Sequence, residues 1–449
     1  MTIAPGITIA GRFELRSRAG QGGTGSVFLA RDIATQRDVA VKVLSREGDD
    51  DLSRFAREAA LLATIRHPNI VGYIAHGEVD GIHYIAQDWV EGMTLAMYRR
   101  SLGLSAADAV ALTIGIADAL GAVHAVGMIH RDVKPSNIIL DGNSPEQPRL
   151  VDFGVARLTT QTGLVTRTGV VVGTPQYMSP EQARGQGFID AASDVWSLGC
   201  VLYEALAGLS PFSGATSTAV RAKVLLGAPR PLRERCAEAS PELAELVTEM
   251  LAKHPGQRPA NGAVVAARLR ALPPIGPGPI RKYASDRTSA SKEPTTRSSP
   301  LTETNSFVLV TPQSAKAGED QAAIAAIAAR RDLETHLLED GSAVLAAKQP
   351  GKPGALNATH AALEIRAEVW ESAVTVFANA YDDDDLTVTI DRGAAMHERA
   401  ELESVFGGVV DGAESAIRID EQVAALIHDE IPVERTPNGV VVRAPRPKR

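Results

Sequence analysis

The sequence predicts an α+β chain. A large first domain is β-rich at its start and helical after it; a linker and a smaller α/β domain follow. Three observations carry this. The first ninety or so residues hold short alternating apolar runs around a glycine cluster, the pattern of strands and tight turns. From Ala106 the apolar residues recur at helical spacing. Near Leu272 the composition shifts to Pro, Ser, Thr and charge in "PPIGPGPIRKYASDRTSASKEPTTRSSPLTETN", a stretch with too little apolar surface to fold. The expected boundaries are 10–271, 272–304 and 305–449.

The elements follow in order. "RFELRSRAGQGGTGSVFLARD" reads as two strands joined by a flexible turn, and "DVAVKVLS" as a third strand. "DLSRFAREAALLATIR" has helical periodicity, and "HYIAQDWVEG" reads as a strand running into a connector. Ala106 to Gly127 is an Ala- and Leu-rich helix. "SDVWSLGCVLYEALAG" is apolar nearly all round and should be a buried helix. "SPELAELVTEMLAKHP" opens on a Ser-Pro cap signal and closes on proline. After the linker come a strand ("SFVLVT"), a helix ("EDQAAIAAIAARRDLETHL"), a strand ("SAVLAA") and a helix ("NATHAALEIRAEVW"). Strands "AVTVFANA" and "LTVTID", helix "AAMHERAELESVF", strand "SAIRID", helix "EQVAALIH" and strand "GVVVRA" complete it. Such alternation suggests a second α/β domain.

Bulk properties exclude several classes. The 449 residues are 44% apolar and 22% charged with net charge −8, so nucleic acid is not an expected partner. Cys200 and Cys236 have no metal-type or CxxC spacing, which fits a reducing compartment. No run of 18 uninterrupted apolar residues reads as a membrane span. "MTIAPGITIAGRF" lacks the basic and apolar regions of a signal peptide. The expectation is a cytoplasmic, soluble protein.

The residues that carry chemistry cluster. In "GQGGTGSV", Gly20, Gly22 and Gly25, with Val27 beside them, would let backbone N–H groups approach a polyphosphate. The turn lies between two strands, which argues against a Rossmann or Walker site. Lys42 ends "VAVK". Paired with Glu58 of the following helix, it would hold an ammonium at the α- and β-phosphates. "HRDVKPSNIIL" brings a base, an acid, a cation and an amide together. Asp132 could accept a hydroxyl proton and Lys134 balance charge on the moving phosphoryl group. The carbonyl of Asn137 suits a hard cation, with Asp152 of "LVDFGVA" as a second oxygen ligand. Together these form an apparatus for Mg²⁺-assisted phosphoryl transfer from a bound triphosphate.

Taken in this order, the motifs closely resemble the eukaryotic-type protein kinase family, with the nearest likeness to its bacterial serine/threonine members. The resemblance covers residues 10–271. It implies a bilobal fold with a small β-rich N-lobe and a large helical C-lobe, ATP and Mg²⁺ as cofactors, and protein substrates. "GQGGTGSV" matches the glycine loop, Lys42 the strand lysine, and Glu58 its helix partner. "HRDVKPSN" matches the catalytic loop, and "DFG" is intact. "MSPE" stands for A-P-E, with Glu181 expected to pair with Arg258, and Asp194 fits the aspartate that holds the catalytic loop. The resemblance further implies that adenine meets the backbone of Asp88 and Val90, with Gln87 at the pocket's back. Lys134, Pro135 and "VGTPQYMSPEQ" point to Ser/Thr rather than Tyr substrates, with Thr174 near Asp132. Five threonines lie between Gly154 and Gly173. Thr166 and Thr168 are the first choices for phosphorylation, since Arg131 could pair with a phosphate there.

A pseudokinase would lack Lys42, Asp132 or Asp152, and all three are present. An antibiotic-type small-molecule kinase usually lacks "GTPQYMSPE". The second domain resembles, weakly, class III nucleotide cyclase domains in a ferredoxin-like layer. "FVLVTPQSA" has no aspartate at its strand end, and Met396 stands where an arginine is expected. A non-catalytic domain for dimerisation or sensing is therefore expected, with a homodimer through either domain left open. "YDDDDL" (Asp382 to Asp385) reads as a solvated turn.

Overall fold

Valines at every second position of "RDVAVKVL" make a strand with one apolar face: Val39, Val41 and Val43 are buried, and Lys42 points the other way. That alternation sets the N-lobe. The computed structural model describes residues 3–22, 25–44, 59–153, 175–185, 189–214, 216–276, 278–283, 304–312, 317–338, 341–369, 372–380, 390, 393–394, 396–397, 416–436 and 439–443. The chain forms two compact units. One comprises Met1–Ser179, Gly187–Pro211 and Pro231–Ser285; the other comprises Pro180–Gln186, Phe212–Arg230 and Asp286–Arg449.

In the first unit, six strands form an antiparallel sheet: β1 (Thr8–Ile9), β2 (Phe13–Gly22), β3 (Gly25–Asp32), β4 (Arg37–Leu44), β5 (Tyr73–Val79) and β6 (Ile82–Asp88), in the order β1-β2-β3-β4-β6-β5. A helix, α1, covers residues 59–64 between β4 and β5. Phe13, Leu15, Phe28, Ala30, Val39, Val41 and Tyr84 form the apolar face. The β3 end is pinned where Asp32, fully buried, accepts Nε and Nη2 of Arg12 at 2.9 and 2.8 Å, plus Ala34 N and the Thr35 hydroxyl.

The helical lobe is built around α3 (Ala106–Ala125). Ser105 caps it by accepting Asp108 N at 3.1 Å and donating to the Asp108 carboxylate at 2.7 Å. By length and composition α3 could cross a bilayer. Here it is a core helix: Leu112, Ile116, Leu120 and Val123 are buried, and it packs on α5 (Ala191–Ala207) and α9 (Gly262–Ala271). α5 is buried from Ala192 to Leu206, as its all-apolar sequence requires. Further helices of this unit are α2 (Leu95–Ser101), α7 (Leu232–Arg235) and α8 (Pro241–Met250), with a two-stranded ribbon of β7 (Ile138–Leu140) and β8 (Pro148–Leu150). α8 ends at Met250, five positions before its closing Pro255. α4 (Pro180–Ala183) and α6 (Ser217–Leu226) fall in the second unit.

The expected linker start at 272 needs correction. The chain from Gly278 to Tyr283 lies on the helical lobe. Arg281 and Leu104 exchange backbone hydrogen bonds of 2.8 and 2.9 Å, and Tyr283 N donates to Arg99 O at 3.2 Å. Arg281 also pairs with Glu238 at 2.5 Å. Gly103 permits the approach: its φ is +82°, and a Cβ there would sit 2.8 Å from Arg281 O.

Among the described residues the C-terminal sheet has seven strands: β9 (Thr304–Thr311), β10 (Leu333–Leu337), β11 (Ala343–Ala347), β12 (Ala373–Ala380), β13 (Ala416–Ile419), β14 (Glu434–Thr436) and β15 (Gly439–Arg443). The order is β10-β11-β9-β12-β13-β15-β14, antiparallel except for β12 with β13. With α10 (Ala317–Arg330) after β9 and α11 (Gly351–Glu368) after β11, the first four strands have βαββαβ connectivity in the order 4-1-3-2. Apolar residues of α10, α11 and the helix Glu421–Ile427 cover the sheet. Two strands differ from the sequence reading. β10 lies in a run expected to be helical, and β14 was not anticipated. "LTVTID" and Asp382 to Asp385 lie outside the described residues, apart from Ile390.

Candidate active site

The site grows from three local structures. The first is the strand face opposite the N-lobe core. Lys42 projects from it and meets Asp152, with Nζ 2.6 Å from Oδ1. Asp152 holds a left-handed backbone, φ +61°, a strained conformation for a non-glycine residue.

The second is the catalytic loop. Lys134 Nζ donates to Asp132 Oδ2 at 2.8 Å. Asn137 Nδ2 donates to the same oxygen at 3.0 Å and to the Asp132 carbonyl at 2.8 Å. The single helical turn Pro135–Asn137 makes this geometry, carrying Asn137 back over Asp132. The β7–β8 pairing then links the loop to Asp152. Ile138 is level with Leu150, and Val151 N donates to Asn137 O at 3.0 Å. Asn137 and Asp152 thus flank one ribbon end, although 15 residues separate them in the sequence.

The third is a buried anchor. Asp194, in the first turn of α5, accepts His130 N and Arg131 N at 2.7 Å each, and His124 Nε2 at 2.9 Å. Arg131 sits at φ +65°. His130 is fully buried, donates from Nε2 to Val151 O at 3.1 Å, and accepts Asp132 N on Nδ1 at 3.3 Å. Burial pushes its imidazolium pKa down against the pull of Asp194, Asp132 and Asp152, so the ring is a neutral spacer. The Phe153 ring packs on it, 4.8 Å between centroids.

The glycine turn joins β2 to β3, with Gly22 level with Gly25. Its glycines have different reasons. Gly25 has φ +143°, and a Cβ there would lie 2.1 Å from Val43 O, so folding requires it. At Gly20 a Cβ would meet nothing within 4 Å among the described residues. Val27 is level with Lys42 on the neighbouring strand. At the β6 exit, Asp88 N donates to Gly72 O at 2.8 Å. The main chain of Val90 has no hydrogen-bond partner among the described residues. Gln87, Lys42, Asp152 and Phe153 line a small cavity.

A cation, two carboxylates and an amide around one strand cleft, with a glycine turn above, match one family of known domains. The family model for the protein kinase domain matches residues 13–269. The chain belongs to the protein kinase family. Over 270 residues it is 42% identical to the serine/threonine-protein kinase PknB of Mycolicibacterium smegmatis, covering 58% of this chain and 43% of that protein. It is 36% identical over 279 residues to the serine/threonine-protein kinase pkn3 of Myxococcus xanthus, covering 60% and 51%. A crystal structure of the Mycobacterium tuberculosis PknI kinase domain aligns with TM-score 0.48 at 26% identity, over 60% of this chain and 98% of that one. The chain spans about half the length of the curated relatives it matches.

The kinase domain thus gathers Lys42, Asp132, Lys134, Asn137 and Asp152 at one cleft, with Asp194 behind it. Glu58, Thr166, Thr168 and Thr174 lie outside the described residues, as does the rest of 154–174. Glu181 is buried in α4, and Arg258 is buried, donating to the carbonyls of Ala252, Ala192 and Lys253 and lying over the Trp196 ring. Sequence reasoning missed a buried pair and its partner: Glu204 of α5 pairs with Arg99 of α2 at 3.0 Å and accepts the hydroxyl of the half-buried Tyr177 at 2.5 Å. A lone acid in the apolar run "WSLGCVLYEAL" was the available signal, since a buried carboxylate needs partners.

Proposed function

We propose that this chain is a protein serine/threonine kinase that transfers the γ-phosphoryl group of ATP to protein hydroxyls in bacterial signalling. The observation that carries the reading is the Lys42–Asp152 contact of 2.6 Å beside the Asp132–Lys134–Asn137 cluster. Family members use ATP with Mg²⁺. The residues fit that ion: Asp152 offers a carboxylate and Asn137 an amide oxygen, hard ligands that leave the remaining positions to phosphate and water. Bound there, Mg²⁺ would neutralise charge on the phosphate oxygens.

The chain's own groups do the rest. Lys42 places a positive charge at the nucleotide phosphates. Asp132 orients the substrate hydroxyl and accepts its proton, and Lys134 offsets charge on the transferring group. Asn137 fixes the Asp132 carboxylate and Asp194 fixes the loop. The backbone of Asp88 and Val90 suits adenine, and the absent side chain at Gly20 leaves room for phosphate. Thr166 and Thr168 are proposed autophosphorylation sites read by Arg131. Incubating the protein with radiolabelled ATP and Ser, Thr and Tyr peptides tests the reading. Label on Ser or Thr that vanishes in Asp132→Asn supports it, whereas label on Tyr alone, or equal label in the variant, overturns it.

The C-terminal domain is proposed to be non-catalytic, a module for dimerisation or sensing. At the end of β9, Thr311 meets His397 Nε2 at 2.8 Å and the Ser342 hydroxyl at 3.1 Å, and His397 Nδ1 reaches Thr375 at 3.2 Å. Hydroxyls and an imidazole stand where a cyclase would need carboxylates for metal. Formation of a cyclic nucleotide by the purified protein with Mg²⁺ or Mn²⁺ would contradict this.

A further inference from the structure

The strap from Gly278 to Tyr283 lies past α9 and outside residues 13–269, the span that the protein kinase model matches. It nonetheless completes the helical lobe. Gly103 N, which would ordinarily donate to Arg99 O at the end of α2, turns back to Tyr98 O at 3.2 Å. The Arg99 carbonyl left over is met by Tyr283 N, also at 3.2 Å. Arg281 exchanges its backbone bonds with Leu104, just before α3. Lys282 O passes 3.3 Å from where a Cβ would stand on Gly208, the C-cap of α5. Arg281 Nη2 pairs with Glu238, between α7 and α8, at 2.5 Å. The strap is thus fastened at four places.

From Tyr283 three contacts lead toward the catalytic loop. Its ring lies against the guanidinium of Arg99, 5.1 Å from centroid to Cζ. Arg99 Nη2 lies 3.0 Å from Glu204 Oε1, and both side chains are 3% exposed. Glu204 Oε2 accepts the Tyr177 hydroxyl at 2.5 Å. Tyr177 closes the turn Pro175–Tyr177 and borders the same cavity as Tyr283 and Lys134, the lysine that bonds Asp132 at 2.8 Å. A buried ion pair keeps its geometry while water is held off it. Tyr283 covers one face of the guanidinium. Without the ring, water screens the attraction between Arg99 and Glu204, and the carboxylate that fixes Tyr177 gains freedom.

We propose that Tyr283 is a positioning residue for phosphoryl transfer to peptides: docked by the strap, it holds Arg99 and, through Glu204, sets Tyr177 beside the catalytic loop. The proposal rests on the kinase reading and adds to it a residue beyond the kinase-domain match.

The test compares full-length wild type, Tyr283→Ala and Tyr283→Phe on a peptide with one Thr acceptor. Tyr283→Ala should lower kcat/KM for the peptide by about tenfold, the order of one desolvated guanidinium–ring contact, and leave the KM for ATP unchanged. Tyr283→Phe keeps the ring and should restore the wild-type value. Hydrogen exchange of the Met178 amide, which donates to Pro175 O at 3.2 Å, should quicken in Tyr283→Ala and not in Tyr283→Phe. Wild-type peptide kinetics or wild-type Met178 exchange in Tyr283→Ala overturns the proposal. So does an equal loss in both variants, or a loss matched by a rise in the KM for ATP, since either reports a general structural role. Should Tyr283→Ala fail to fold, Arg281→Ala, which loosens the strap at Glu238, should show the same selective loss, and its absence overturns the proposal. Wild-type protein that transfers phosphate to no peptide overturns the kinase reading as well.

Discussion

Oδ1 of Asp194 accepts the backbone N–H of Arg131 at 2.7 Å, and Arg131 holds φ at +65°. The bond explains the strain. A left-handed arginine costs roughly 1–3 kcal/mol unless its surroundings impose it, and the buried carboxylate does so by claiming two successive N–H groups. Asp194→Ala leaves both unsatisfied, at about 1–3 kcal/mol each, and frees the loop. The expected result is a lower Tm and a kcat loss larger than the rise in KM for ATP. Calorimetry and steady-state kinetics read both.

The two glycines of the phosphate turn should separate folding from binding. Gly25→Ala forces a Cβ against Val43 O and should destabilise by more than about 1 kcal/mol. Gly20→Ala meets no atom of the described residues within 4 Å. Its Tm should not change, while its KM for ATP rises by about tenfold, as expected if phosphate needs that space. Thermal unfolding with ATP titration checks the pair.

Acid stability should report on the Arg12–Asp32 pair. Hydrogen bonds from Arg12 hold the Asp32 carboxyl well below the usual carboxylate range. The unfolded chain binds a proton there at about pH 4. The stabilisation is therefore full above that pH and is lost as pH falls through the lower folded value. Urea unfolding should find Asp32→Asn less stable than wild type by a constant margin between about pH 7 and 5. Below about pH 4 the margin should shrink.

The catalytic loop was legible because its chemistry is local in sequence. Residues 130–137 contain Asp132, Lys134 and Asn137, and a single turn folds them together. The valine alternation set the face of Lys42. Other features depended on long-range partners. Arg99 and Glu204 are far apart, and nothing local pairs them. Tyr283 belongs to a polar stretch whose order comes from backbone bonds to Leu104 and Arg99. In the C-terminal domain the two unanticipated strands, β10 and β14, are the edges of the sheet. "LETHL" and "ERT" are short and polar, and β10 follows an Ala-rich helix, so period-2 patterning is weak there.

On the proposed function, Lys42, Asp132, Asn137 and Asp152 serve one metal-bound nucleotide. This is tested most directly by the rate of γ-phosphoryl transfer against Mg²⁺ concentration in wild type and Asp152→Asn. Wild type should show saturation by Mg²⁺. The variant should lose at least about 100-fold at every Mg²⁺ concentration, with an unchanged Tm. A variant with the wild-type rate and the wild-type Mg²⁺ dependence would contradict it.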